Sequence, residues 1–335
     1  MTRRHAATFA IVALVLAAVP AGVSAYLTLG STVNGTSVTA RWSNMPIRYF
    51  VKNRAAANVT PTQLQTALTQ SFDAWAAVPT ASVSATFTGF TNAEPVREDG
   101  ATVVGFQVHD ELERTLGATS FTVDRTTGAL VEADIFLNSF FDWSVATAGE
   151  TNRFDVQSIL THEVGHLLGL GHSLLGETEI RAQGGRRVIG KRSVMFPIAY
   201  AVGTVLDRTL QDDDKAGISE SYPTAPFLKQ SGSIAGRVTL DGVGIFGAHV
   251  VAFNTKTQQT VGGFSLNASG DFVISGLTPG IYVLRVEPLD DADLTSFFSA
   301  ETKVDVGFKA AFHSKLVTAP AGGAGERVEI KVTRK

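Results

Sequence analysis

The run His162-Glu163-Val164-Gly165-His166-Leu167-Leu168-Gly169-Leu170-Gly171-His172 constrains this chain more than any other stretch of it. Residues four apart on a helix share a face, so His162 and His166 can both point at one ion. Glu163 lies beside them and can hold a water without being a ligand. Gly169 permits a backbone turn that a residue with a Cβ would resist. That turn ends the helix and lets His172 approach from a third direction. Three neutral imidazoles leave a fourth position for water, the geometry of a catalytic zinc rather than a closed structural one. An H-E-x-x-H run by itself also fits a surface helix carrying two histidines. Gly169 and His172 add two constraints that such a helix does not need. Val156, Ile159, Leu160, Val164, Leu167 and Leu168 recur at helical spacing and predict one buried stripe, with Asn152 as N-cap.

Downstream, Ser193-Val194-Met195-Phe196-Pro197 resembles the methionine turn that follows this long form of the zinc motif. With it the chain resembles the metzincin clan and, within that clan, the matrixins. Ser173 after the third histidine, Thr151-Asn152-Arg153-Phe154 before the helix, and the run 210–218 (L-x-x-D-D-x-x-G-I) carry the same resemblance. The resemblance implies a zinc metalloendopeptidase with one catalytic ion on His162, His166 and His172, and Glu163 as general base. It places Met195 under the histidines as packing and one buried Asp, Asp214, against the methionine turn. The same run 212–214 also reads as a solvated first turn that favours the helix dipole. The implied fold is an α/β (α+β) domain with a twisted mixed sheet and an active-site helix. By resemblance, the strand near 117–121 edges the cleft, where a peptide would add as a further strand. Ala118 and Thr119 are then substrate-binding candidates, and Phe196, Pro197 and Tyr200 candidate pocket residues.

Three departures from the family stand out. Vertebrate matrixins place structural-zinc histidines on two strands, but no histidine lies here between His109 and His162, so a second zinc site is not expected. Calcium could use Asp124, Glu132, Asp134 and Asp142. These acids lack EF-hand spacing, and solvated loop charge is the favoured reading. The segment 176–192 is longer than the family's link to the methionine turn, and polar, with Gly184-Gly185-Arg186-Arg187 and Lys191-Arg192. It reads as a loop near the primed-side pocket able to touch acidic substrate residues, or equally as a surface insertion. Finally, many matrixins are held latent by a propeptide cysteine, and this sequence contains no cysteine.

The 335 residues suffice for more than one core. Arg3 and Arg4 precede an apolar run at 7–19, and Val23-Ser24-Ala25 fits a signal-peptidase site, so 1–25 reads as a signal peptide. A membrane anchor is the alternative, but the run is short for a span and is interrupted by Pro20 and Gly22. Export to a periplasm, a cell surface or the medium is expected, with no membrane span after cleavage. Removing 1–25 takes away Arg3 and Arg4 from 28 basic residues and none of the 31 acidic ones. That mild acidic balance argues against nucleic acid or an anionic membrane as partner. The expected partners are protein or peptide substrates, and the chain is expected to be a monomer.

After a short leader at 26–39, the peptidase-like domain is expected at 40–224. Within it, Thr60 and Pro61 start a helix that runs to about Ala77. Pro223 and Pro226 mark a boundary, with 225–231 as linker. Short alternating strands separated by turns then predict an all-β sandwich at 232–335. Its Gly276-Leu277-Thr278-Pro279-Gly280-Ile281-Tyr282 run resembles carboxypeptidase regulatory-like domains. The rival reading of the whole chain is a non-catalytic secreted binding or adhesion protein that uses this sandwich. The intact Glu163 argues against it, since a relic site has no need of a base.

Overall fold

In a computed structural model, residues 26–335 are described apart from 34–35, 113, 183–184 and 191. The expected signal segment 1–25 lies outside the described residues. No helix among those described is long and apolar enough to cross a membrane.

The first unit is a mixed α/β assembly with few helices, consistent with the fold the resemblance implies. Its five-stranded sheet comprises β1 (Ile47–Lys52), β2 (Ala85–Thr91), β3 (Thr102–Gln107), β4 (Gly117–Val123) and β5 (Leu130–Asn138), in the order β2-β1-β3-β5-β4. Only the β4–β5 pairing is antiparallel. Parallel strands need covering helices, and two supply them. Helix α1 (Pro61–Ala76) starts with Thr60 and Gln63 in a reciprocal capping box and Pro61 in its first turn. It buries Leu64, Leu68, Phe72 and Trp75. Helix α2 (Val156–Leu167) packs against it, and the Trp75 indole N–H donates to the Thr161 carbonyl at 2.9 Å. The α2 N-cap is Asp155, whose carboxylate accepts from the Ser158 amide, and not Asn152. Asn152 sits three residues earlier at φ 62°, a left-handed turn residue, a role Asn tolerates better than most.

Helix α3 (Asp212–Ser221) closes this unit. The expected linker then forms a short helix, Ala225–Gln230. Pro226 falls in its first turn, where its missing N–H costs nothing. Beyond it, β6 (Gly232–Leu240) pairs with β9 (Asp271–Leu277), and β7 (His249–Asn254) lies between β8 (Thr260–Phe264) and β10 (Gly280–Glu287). Both sheets contribute to one buried cluster that includes Ile234, Val238, Phe272, Val250, Tyr282 and Leu284.

The expected leader is part of the core between the units. Tyr26 is buried against Gly217 of α3, where a Cβ would come within 2.6 Å of the ring. The Leu27 carbonyl accepts from Gly171, and the Leu29 amide donates to Gly169. Glu220 of α3 is held in the same region with Ser275 of β9, and burial pushes its carboxyl up to about 7. Its folded-state pKa therefore lies above its unfolded value, so the stabilisation by protonation present at low pH is lost as pH rises through about 7. Glu220→Gln, which cannot ionise, is expected to raise the melting temperature more at pH 8 than at pH 5. Equal shifts at both values would contradict this account of Glu220.

Candidate metal centre

Helix α2 carries His162 and His166 four residues apart, and the turn at Gly169 returns His172 to them. Gly169 has φ +92°, and a Cβ there would lie 2.1 Å from the Ala40 carbonyl oxygen, so both backbone conformation and space require glycine. The Nε2 atoms of His162 and His166 are 3.1 Å apart, and those of His166 and His172 are 3.2 Å apart. Among the described residues these three form the one cluster of metal-binding side chains.

Each Nδ1 faces a backbone carbonyl: His162 that of Val194 at 2.7 Å, His166 that of Leu170 at 2.8 Å, His172 that of Ser296 at 2.6 Å. A carbonyl only accepts, so all three Nδ1 atoms carry the proton and all three Nε2 lone pairs converge. Three convergent lone pairs repel one another unless a cation lies between them, and this donor set fits zinc. Burial lowers the pKa of His162, pushes His166 down to about 3 and His172 to about 4. The rings are thus neutral at pH 7, the form that binds metal.

Glu163 is buried beside them, and burial raises its carboxyl to about 7 against the opposing hydrogen bond from Thr119. Thr119 Oγ1 lies 2.7 Å from Glu163 Oε2 and 3.0 Å from the Glu163 carbonyl. Thr119, a substrate-binding candidate from sequence, is therefore 1% exposed and turned toward Glu163. Ala118, Thr119 and Pro197 line the cleft, a cavity of about 330 Å³ that includes the three histidines, Glu163, Arg114 and Arg186. Phe196 also lines it although its ring is buried. Tyr200 is not among the lining residues; its ring stacks under the Arg192 guanidinium at 4.5 Å.

Beneath α2, Met195 is fully buried, and a Cβ on Gly165 would lie 2.2 Å from its sulfur. Asp214 accepts from the Val194 amide at 2.9 Å and the Met195 amide at 3.0 Å, which fixes the turn that supplies the Val194 carbonyl to His162. Asp213 is buried as well, so the run 212–214 is not simply a solvated first turn. Arg192, expected in an exposed polar loop, is instead buried in an ion pair with Asp207. It also donates to the Ser193 and Phe196 carbonyls at 2.9 and 3.3 Å, bracing the methionine turn from the other side. Sequence reading missed this pair because nothing local in a K-R run signals burial.

The rest of 176–192 includes a hairpin of Thr178–Ile180 and Arg186–Val188. Three of the four acids considered for calcium have other partners. Asp134 accepts from Arg97 and Val103 amides, Glu132 from Gly100, and Asp124 from Thr126 and Thr127. His109 faces Glu111 and Gln107.

These features define a zinc metallopeptidase-type site. Residues 41–180 match the family model for Matrixin, which supports a matrixin-type metzincin catalytic domain over that stretch. No curated protein sequence matches the chain. Among solved structures, it is similar to the Bacillus anthracis TIE protein, at 16% identity over 31% of this chain and 17% of that one (TM-score 0.21). It is similar to GBS52, the minor pilin of Streptococcus agalactiae, at 15% identity over 32% and 45% (TM-score 0.21). A putative carbohydrate binding protein from Pseudomonas aeruginosa matches at 12% identity over 32% and 92% (TM-score 0.19). The chain spans less than half the length of the first two. Likenesses this partial carry no argument about what the chain does.

Gly165→Ala tests the packing beneath the helix. Alanine gains about 1 kcal/mol in helix propensity, but overpacking against Met195 and Trp75 costs about 1–3 kcal/mol. The variant is expected to melt below the parent in thermal denaturation. A higher melting temperature would show that Met195 yields without cost.

Proposed function

We propose that the chain is an exported zinc metalloendopeptidase that hydrolyses peptide bonds in protein substrates, with Glu163 as the general base. One observation carries this reading: a buried carboxylate beside three imidazoles whose Nε2 atoms converge. His162, His166 and His172 would hold the zinc. When bound, the ion supplies Lewis acidity that lowers the pKa of water and polarises a carbonyl. Glu163 accepts the proton of the attacking water on a carboxylate oxygen and passes it to the leaving amine. Thr119 holds one oxygen of that carboxylate and leaves the other for the water. No side chain attacks, so no acyl-enzyme forms.

The substrate backbone pairs with β4, whose outer edge faces the cleft, and Ala118 contributes to that wall. Pro197 lines the pocket for a substrate side chain. Arg114 and Arg186 at the cleft favour acidic residues in the substrate. Zinc is the one metal this reading needs; nothing calls for calcium. The second unit is read as a β-sandwich of the carboxypeptidase regulatory-like kind, and the chain as a monomer. Export rests on the Arg3, Arg4 and Ala25 pattern, and sequencing the secreted protein from its N-terminus, expected to start at Tyr26, checks it.

A casein or gelatin assay, with and without a zinc chelator, tests the activity. Chelation should abolish cleavage and added zinc restore it. Glu163→Ala is expected to keep zinc and lose cleavage by roughly 10²–10⁴-fold, the contribution typical of a general base. His166→Ala should lose both. Full cleavage by Glu163→Ala would sink the assignment of the base.

A further inference from the structure

The three histidines are not held alike. His162 and His166 find their carbonyl partners, Val194 and Leu170, within the first unit. His172 finds its partner at Ser296, 124 residues away, in the connection that follows β10. The contact is the shortest of the three, at 2.6 Å.

Ser296 ends a 3₁₀ turn, Leu294–Ser296. Phe297, 1% exposed, anchors this turn. Its ring stands edge-on to the His172 imidazole at 6.3 Å and meets Phe264 of β8 at 5.9 Å. The connection is also clamped from the first unit. Thr178 donates its amide to Asp291 at 2.7 Å, and Arg186 donates to the Asp290 carbonyl at 2.9 Å. On the other side of the ligand, the Ser173 hydroxyl donates to Asp213, whose second oxygen accepts from the Gly262 amide of β8 at 2.7 Å. Contacts reaching the second unit thus flank His172 on both sides.

We infer that the second unit is a working part of the metal centre: the Ser296 carbonyl is a positioning group that fixes the tautomer and ring orientation of the third ligand, His172. An outer partner of this kind aims the Nε2 lone pair and raises its basicity, and its loss typically weakens metal binding 10- to 100-fold. The second unit is then more than a tethered appendage, because a metal-competent site requires its docking. This inference rests on the metal-site reading used for the proposed function.

Its test is zinc affinity of the full chain, read by competition with a chromophoric chelator, together with imidazole ¹⁵N–¹H spectra of the zinc-free chain. The unmodified protein is expected to show a hydrogen-bonded, exchange-protected Nδ1–H on His172. Phe297→Ala, which frees the Ser296 turn, is expected to lose that resonance and to bind zinc about 10- to 100-fold more weakly. Phe298→Ala opens the same cluster through Phe246 and Phe264 without touching the His172 ring, and should bind zinc as the parent does. An unprotected Nδ1–H on His172 in the parent overturns the inference whether or not the variants fold. So does parental affinity in Phe297→Ala, or an equal loss in Phe298→Ala. A parent that binds zinc and shows this pattern yet cleaves no protein would refute the proposed function and leave the inference standing.

Discussion

The constraint on which the site depends is three imidazoles whose Nε2 lone pairs converge. Left alone, that arrangement is unfavourable, because neutral nitrogens face one another with no donor between them. The surrounding chain offsets it by giving every Nδ1 a carbonyl and by lowering each ring's pKa through burial. Much of the first unit serves to deliver two of those carbonyls, those of Val194 and Leu170. Asp214 and the buried Arg192–Asp207 pair fix the Met195 turn and so place the Val194 carbonyl. The left-handed Gly169 places the Leu170 carbonyl under His166.

Glu163 is set by the same means. Glu163 loses water on burial, which raises its pKa, while Thr119 on the edge strand β4 offsets part of that effect. One strand therefore borders the cleft and holds the Glu163 carboxylate, so a shift of β4 would move both the cleft wall and that hydrogen bond.

Several elements were legible in the sequence because their causes are local. The capping box at Thr60, the helical stripe of Val156 to Leu168 and the glycine turn before His172 follow from short-range periodicity and φ preference. Errors arose where two local signals competed. Asn152 and Asp155 can both cap a helix, and only Asp155 has a side chain that reaches the free amide of Ser158. Pro226 reads as a break in the sequence, yet proline in a first turn is compatible with a helix. Thr119, a substrate candidate by its strand position, lines the cleft and also donates to Glu163, a contact that strand position alone does not mark.

Sequence alone determined the histidine cluster, since the 3.6-residue repeat of a helix and a glycine turn bring His162, His166 and His172 together wherever that helix folds. Tertiary structure decided what surrounds those histidines. A backbone carbonyl has no residue identity, so nothing in the letters marks Ser296 as the partner of a histidine 124 positions away. Burial of Arg192, Asp213 and Asp214 likewise depends on which surfaces meet, a non-local property that a charged run does not reveal.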